Sequence, residues 1–241
     1  MGSAAPAALP RIVRCSRRGC SDRLLRERVV AAGALISGTG TNLQAIVDRI
    51  AAGRLDCALR LVVSNRAGAE GLGRAEAAGI PTRVIDHKGF ACREDFDRAV
   101  VAALREAGVE LVLLAGFDRL VTPVFLAAFP LRIMNIHPAL LPAFKGLDAQ
   151  RQALAYGVRI AGATVHFVDE HTDHGPIIVQ GAVAISPEDS EDEVRRRILA
   201  VEHDIYPLAI QLFAEGRLTV EGRRVIVRGP RPRLPPPLVH W

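Results

Sequence analysis

No run among the 241 residues approaches the roughly 18 consecutive apolar positions of a membrane-spanning helix, so no membrane partner is expected. Cysteine is scarce. Cys15, Cys20, Cys57 and Cys92 fall at no metal-ligand spacing, and four in a chain of this length make no disulfide framework, which favours a reducing, cytoplasmic setting. A basic face on the body of the chain is missing as well. The net charge is +5, but seven Arg against Asp22 and Glu27 place +5 on residues 1–28, five Arg against Glu221 place +4 on residues 221–241, and the stretch between carries −4. Nothing there would track a phosphate backbone, so the expected partners are small molecules rather than nucleic acid, with a homodimer left open. No internal repeat is visible.

What is present is the composition of a globular protein, 49% hydrophobic and 24% charged, long enough for one α/β domain. Residues 1–27 are Arg-rich and poor in acids, as transit peptides are, yet Gly2, Pro6, Pro10 and Gly19 leave little of an amphipathic helix; a disordered extension or a misassigned start is the expectation. Residues 28–228 read as the folded domain. Residues 229–241, with five prolines between Gly229 and Pro237, read as an extended tail.

From Val29 onward, short β-rich runs alternate with helical patterns closed by glycine, the pattern of a largely parallel sheet built from βαβ units. Strands are predicted at Val29–Ile36, Leu59–Ser64, Thr82–Ile85, Leu111–Ala115 and Arg132–Ile136. Helices are predicted at Asn42–Ala52, Ala69–Ala78, Arg93–Ala107 and Ala149–Tyr156. Two later strands, Ala163–Val168 and Ile177–Ile185, are joined by a loop too short for a parallel crossover and should pair antiparallel. Ser190 and Glu193 form a capping box for a helix running to about Phe213, and Leu218–Val227 reads as a hairpin turned at Glu221-Gly222. The fold class is therefore α/β, Rossmann-like, with a mostly parallel twisted sheet, helices on both faces and an antiparallel C-terminal part.

Three segments carry residue types suited to chemistry. SGTGTN, Ser37–Asn42, lies between a strand and a helix, where free N–H groups and the helix dipole make an anion site; it is also no more than a tight turn would need. A dinucleotide fingerprint would put a third glycine where this chain has Leu43, so a phosphate monoester fits better than a pyrophosphate. NIHPALLP, Asn135–Pro142, follows a strand, placing Asn135 and His137 at a carboxyl end where ligands bind in open α/β sheets. Asn135 can donate to a developing oxyanion and His137 can exchange a proton, although a histidine before proline can equally just cap the strand. DEHTDHGP, Asp169–Pro176, offers a carboxylate to pair with His137, with Asp173 preferred over Asp169 and Glu170. Such a loop can also be a solvated turn or a metal site; its irregular ligand order argues for no metal.

Together SGTGTNLQAI, VVSNRAGAEGLGRAEAAGIP, LVLLAGFDRL, NIHPALLPAFKG, VHFVDEHTDHGPII and VEHDIYP resemble the phosphoribosylglycinamide formyltransferases, in order and separation, over about Val29–Val220. The resemblance implies transfer of a formyl group from 10-formyltetrahydrofolate, a co-substrate, to the amine of phosphoribosylglycinamide in de novo purine synthesis. It implies a catalytic trio of Asn135, His137 and Asp173. It places the ribonucleotide at Gly40, Thr41, Asn42 and Glu202. The folate falls at Arg93, Asp118, Arg119, Leu120 and Val121, at Asn135, and at Asp169, Glu170, His171, Thr172 and Asp173. Ala139 and Gln150 depart from the family, which often has Ser and His there.

Related enzymes are separated by what flanks this domain. A formyltetrahydrofolate deformylase would resemble a longer chain with an N-terminal regulatory domain, and a methionyl-tRNA formyltransferase one with a C-terminal RNA-binding domain. A non-catalytic phosphate sensor would leave Asn135, His137 and Asp173 without a purpose, and a dinucleotide oxidoreductase conflicts with Leu43.

Overall fold

Residues 29–230 are described by the computed structural model, so the expectations for residues 1–27 and for nearly all of the proline-rich tail lie outside the described residues. The chain runs β1 (Val30–Ile36), α1 (Thr41–Ala51), β2 (Cys57–Ser64), α2 (Glu70–Ala77), β3 (Thr82–Val84) and α3 (Arg93–Glu106). It continues with β4 (Leu111–Leu114), α4 (Pro123–Ala128), β5 (Ile133–His137), α5 (Ala149–Tyr156), β6 (Ile160–Phe167) and β7 (Ile177–Ala184). The long helix α6 (Glu191–Ala214) then leads to the hairpin β8 (Leu218–Glu221) and β9 (Arg224–Val227). The nine strands of the described residues form one sheet in the order β3-β2-β1-β4-β5-β6-β7-β9-β8, parallel from β3 to β5 and antiparallel from β5 through β6 to β7.

Side chains of a strand alternate between faces, and here each face has its own core. Ala34, Ile36, Leu111 and Leu113 pack with Leu43 and Ile46 of α1, Leu72 of α2 and Ile198 and Ile205 of α6. Leu35, Val112 and Leu114 pack on the other side with Phe96 and Val100 of α3 and Phe125 of α4. Helices thus cover both faces, which explains why the central strands are apolar along their whole length rather than in alternation. Ser190 caps α6 through the N–H of Glu193, whose carboxylate accepts from the Ser190 N–H, as the sequence led one to expect. Deep in the same helix the Tyr206 hydroxyl donates to the carbonyls of Leu114 (3.1 Å) and Met134 (3.0 Å), binding α6 to the ends of β4 and β5.

Several boundaries differ from those expected. β6 begins at Ile160 rather than Ala163, because Ile160, Ala161 and Gly162 also pair with β7. A Cβ at Gly162 would lie 1.9 Å from the Gly181 carbonyl oxygen, so glycine is what lets the two strands approach. β2 starts at Cys57, two residues before Leu59, and α4 was not anticipated, its six residues being too few to show a helical period. The terminal hairpin does not stand apart: β9 pairs in parallel with β7 at Ile177 and Arg224 and extends the sheet.

Candidate active site

The site is built around the far half of β5. Leu114, the last residue of β4, pairs with Asn135, while Ile136 and His137 continue beyond it with β6 as their strand neighbour. The edge of β5 that β4 leaves uncovered faces a cleft of about 870 Å³, lined by Leu114, Gly116, Asn135, Ile136 and His137 and closed by residues 117–123, 146–148 and 168–173. Asn135 and His137 are two residues apart, and so project from the same side of the strand.

Asp173 reaches this strand from the loop between β6 and β7. Its Oδ2 lies 3.3 Å from His137 Nδ1 and accepts from the Gly146 N–H at 2.8 Å; its Oδ1 lies 3.4 Å from Asn135 Nδ2. The backbone of Asp173 is left-handed, with φ 46°, a conformation Asp tolerates better than most residues. The opposite ring nitrogen of His137, Nε2, donates to the Phe144 carbonyl at 2.8 Å. His166 stands across from Asn135 in the β5–β6 register, and its Nδ1 donates to the Phe167 carbonyl at 2.8 Å. His166 Nε2 lies 3.2 Å from Asn135 Nδ2 and 3.8 Å from Asp173 Oδ1, which places the ring between the two.

Burial pulls the His137 imidazole below the ordinary histidine pKa, against the Phe144 carbonyl and the Asp173 carboxylate, which favour the charged ring. For Asp173, burial works to raise the pKa, but the neighbouring His166, the Gly146 N–H and the charge of His137 together hold it below the usual carboxylate value. In its ionised form Asp173 therefore faces a ring nitrogen that gains from carrying a proton.

The wall opposite Asp173 is the segment after β4. Arg93 donates to the Leu120 carbonyl at 3.0 Å, holding the 118–121 backbone. Asp118 accepts from Asn65 Nδ2 at 2.9 Å and from Arg66, and its Oδ1 lies 2.8 Å from the Ser37 hydroxyl. Burial would raise its pKa; the hydrogen bonds from Ser37 and Asn65 and the Arg66 guanidinium bring it down. Arg93, Asp118, Arg119, Leu120, Val121, Asp169, Glu170, His171, Thr172 and Asp173 all line the cleft, as do Asn135 and His137.

Gly40, Thr41, Asn42 and Glu202 are not in that lining; they lie together at the start of α1, and the neighbouring Ser37 donates its N–H to the Gly116 carbonyl of the cleft at 3.0 Å. Gly40 is left-handed at φ 70°, and a Cβ on it would come within 2.6 Å of the Gly71 Cα, so the turn admits no side chain. No side chain caps α1, which leaves its first N–H groups facing outward from the positive end of the helix dipole. Arg74 donates to the Thr39 carbonyl at 2.8 Å and adds positive charge. Buried beside it, Asn42 Nδ2 donates to Glu202 at 2.7 Å, Asn42 Oδ1 has no partner among the described residues, and burial pushes the Glu202 carboxyl up to about 7.

Asp169, His171 and His174 bring ligand-type atoms within 4.8 Å of one another. However, Arg223 Nη1 lies 2.8 Å from His174 Nε2, and a fixed guanidinium against the same ring would repel a divalent cation. The donor set fits a hydrogen-bonded turn better than a metal centre.

Some members of the site were not legible beforehand. His166 lies inside the VHFVDEHTDHGPII block without a role read for it, and its register opposite Asn135 is what brings it to the site. Phe144 acts through a carbonyl, which its side chain cannot announce. Ser37, Asn65 and Arg66 lie inside the conspicuous blocks, but their meeting point, Asp118, is set by three separate strand ends. Ala139 is buried and its carbonyl accepts from Thr164 at 2.7 Å, so the loop after His137 is anchored through backbone and needs no hydroxyl there.

With this geometry in view, comparison with known proteins is informative. A family model described as "Formyl transferase" matches residues 30–210. The chain is similar to phosphoribosylglycinamide formyltransferase of Escherichia coli, 43% identical over 202 residues that make up 84% of this chain and 94% of that protein. It is also similar to the trifunctional purine biosynthetic protein adenosine-3 of Gallus gallus, 48% identical over 191 residues, 79% of this chain; it spans only 19% of the length of that relative. Among solved structures, glycinamide ribonucleotide transformylase 1 of Symbiobacterium toebii superposes with a TM-score of 0.82 at 53% identity, covering 84% of this chain and 95% of that one.

Proposed function

The chain belongs to the formyl transferase family, and from that membership we propose that it transfers a formyl group from 10-formyltetrahydrofolate to the amine of phosphoribosylglycinamide in de novo purine synthesis. The observation that carries this reading is the convergence of Asn135, His137 and Asp173 on one cleft beside an uncapped helix start. Residues 28–228 are the formyltransferase domain in this reading.

The cleft has the size of sites that hold extended small molecules, and its mixture of Phe117, Leu120 and Val121 with the backbone of 118–121 suits a flat heterocycle with a hydrogen-bonding edge. Arg93, Arg119 and the 169–173 loop complete the folate site. The α1 start with Gly40, Thr41 and Asn42 holds the ribonucleotide phosphate, and Glu202 contacts the same substrate. No metal takes part.

The neutral substrate amine attacks the formyl carbon, giving a tetrahedral adduct with an oxyanion and a positively charged nitrogen. Asn135 Nδ2, whose longer 3.4 Å contact to Asp173 is the easier to exchange, donates to the oxyanion. His137 keeps its Nε2 proton on the Phe144 carbonyl, so the proton lost by the attacking nitrogen goes to Nδ1, directly or through water. The resulting imidazolium is stabilised on one side by Asp173 and itself stabilises the oxyanion. Collapse of the adduct returns that proton to the departing folate nitrogen.

All of these groups come from one chain, and the reading requires no second copy. No described helix is long and apolar enough to cross a membrane, which accords with a cytoplasmic enzyme acting on small molecules. The test is to follow formyl-folate consumption by the purified protein with and without phosphoribosylglycinamide. Loss that depends on the amine is expected; loss at the same rate without it would make the protein a hydrolase and overturn the reading.

A further inference from the structure

The β8–β9 hairpin has no part in the chemistry above, yet its turn touches the catalytic loop. Gly222, left-handed at φ 59°, turns the chain so that Arg223 reaches back over residues 169–174. Arg223 Nη2 donates to the His174 carbonyl at 2.6 Å, and Nη1 lies 2.8 Å from His174 Nε2 and 3.1 Å from Nδ1. His174 Nδ1 is 2.8 Å from the Asp169 carboxylate, which also accepts from the His171 N–H at 3.0 Å. Ionised Asp169 can only accept, so Nδ1 carries a proton towards it, and the guanidinium, almost equidistant from both ring nitrogens, lies against the face of the imidazole. Arg223 thus holds His174 by its carbonyl and ring, and Asp169 accepts from both the His174 ring and the His171 N–H, so that the contacts bracket Asp173.

We propose that Arg223 is a positioning residue, which through His174 holds the 169–174 turn and thereby keeps the Asp173 carboxylate against β5. The left-handed backbone of Asp173 is a conformation that persists only where its surroundings over-determine it. From inside the cleft Gly146 supplies one constraint; Arg223 supplies the one from outside. Its planar fork engages carbonyl and ring together, which a single ammonium cannot do.

The proposal rests on the role given to Asp173 above, and the experiment separates the two. Asp173→Asn tests that role alone: retained turnover would remove it whatever Arg223 does. Arg223→Ala should lower kcat on the order of tenfold and raise the KM for formyl-folate, with the KM for the ribonucleotide unchanged, because misplacing a reacting group by a fraction of an ångström has effects of that size. Arg223→Lys, which keeps one donor for the His174 carbonyl, should recover part of the loss. Arg224→Ala, one residue along the same hairpin, serves as the control for general damage and should behave as the parent. An Arg223→Ala enzyme with parental kcat and KM would overturn the inference, as would an Arg224→Ala enzyme with the same defect, or a lysine variant no better than alanine.

Discussion

Ser37 and Asp118, 81 residues apart, are joined twice: the Asp118 N–H donates to Ser37 Oγ at 3.0 Å, and the same oxygen lies 2.8 Å from Asp118 Oδ1. Ser37 opens the glycine turn proposed to hold the phosphate, and Asp118 opens the segment proposed to hold the folate. Their union fixes the distance between these two segments at the point where the sheet order reverses, which is where ligands gather in open α/β folds.

Asp118→Ala should therefore weaken both substrates together. It leaves the amide of buried Asn65 without its acceptor, at about 1–3 kcal/mol of stability, and frees Arg66. Steady-state kinetics should show both KM values rising; a change confined to the folate would mean that Asp118 serves that ligand alone.

His137→Ala and Asp173→Ala should each lower turnover by about a hundredfold or more, the usual size of a lost oxyanion donor or acid–base group. The double variant should be little worse than either, since the two act as one unit. Circular dichroism of the variants should match the parent.

Glu202 makes stability depend on pH. Its carboxyl is raised from 4.5 to about 7 by burial, so below pH 4.5 both folded and unfolded chains hold the proton. As pH rises from there through 7 the unfolded chain ionises first, and stability falls by roughly 3 kcal/mol across that window. Glu202→Gln keeps the hydrogen bond with Asn42 and removes the titration. Denaturant melts at pH 5 and pH 8 should show the variant gaining on the parent at the higher pH; equal curves at both would mean the carboxyl titrates normally.

Much of this was readable in advance, and the reasons are particular. Asn135 and His137 could be paired because they share a strand face, a local relation, whereas Asp173 lies a helix and a strand further on and joined them through its acidic loop and the family resemblance. Glycine closures marked the early helices. The partners that depend on distant strands meeting were not readable: His166 against Asn135, Ser37 against Asp118, and Arg223 against His174.

Tyr206→Phe removes one hydroxyl that two carbonyls share, at the ends of β4 and β5. About 1–3 kcal/mol of stability should be lost, with the ring still filling its place. A variant as stable as the parent in chemical denaturation would show that water replaces the hydroxyl.

Cys57 is buried, and desolvation pushes its thiol up to about 12, so it has almost no thiolate at neutral pH. Exposed Cys92 should react with a thiol reagent in the native protein while Cys57 reacts only after unfolding. Peptide mapping of labelled protein distinguishes them.

The way β5 outruns β4 sets what sequence drift can reach. Loops around the cleft can lengthen or change residue without moving the reacting groups, but inserting or deleting one residue within Ile133–His137 would turn every side chain beyond it to the opposite face. His137 would then exchange places with an aliphatic neighbour, and no adjustment of the flanking loops could restore the imidazole to the cleft. A change of length is therefore tolerable in the connections and not within this five-residue strand.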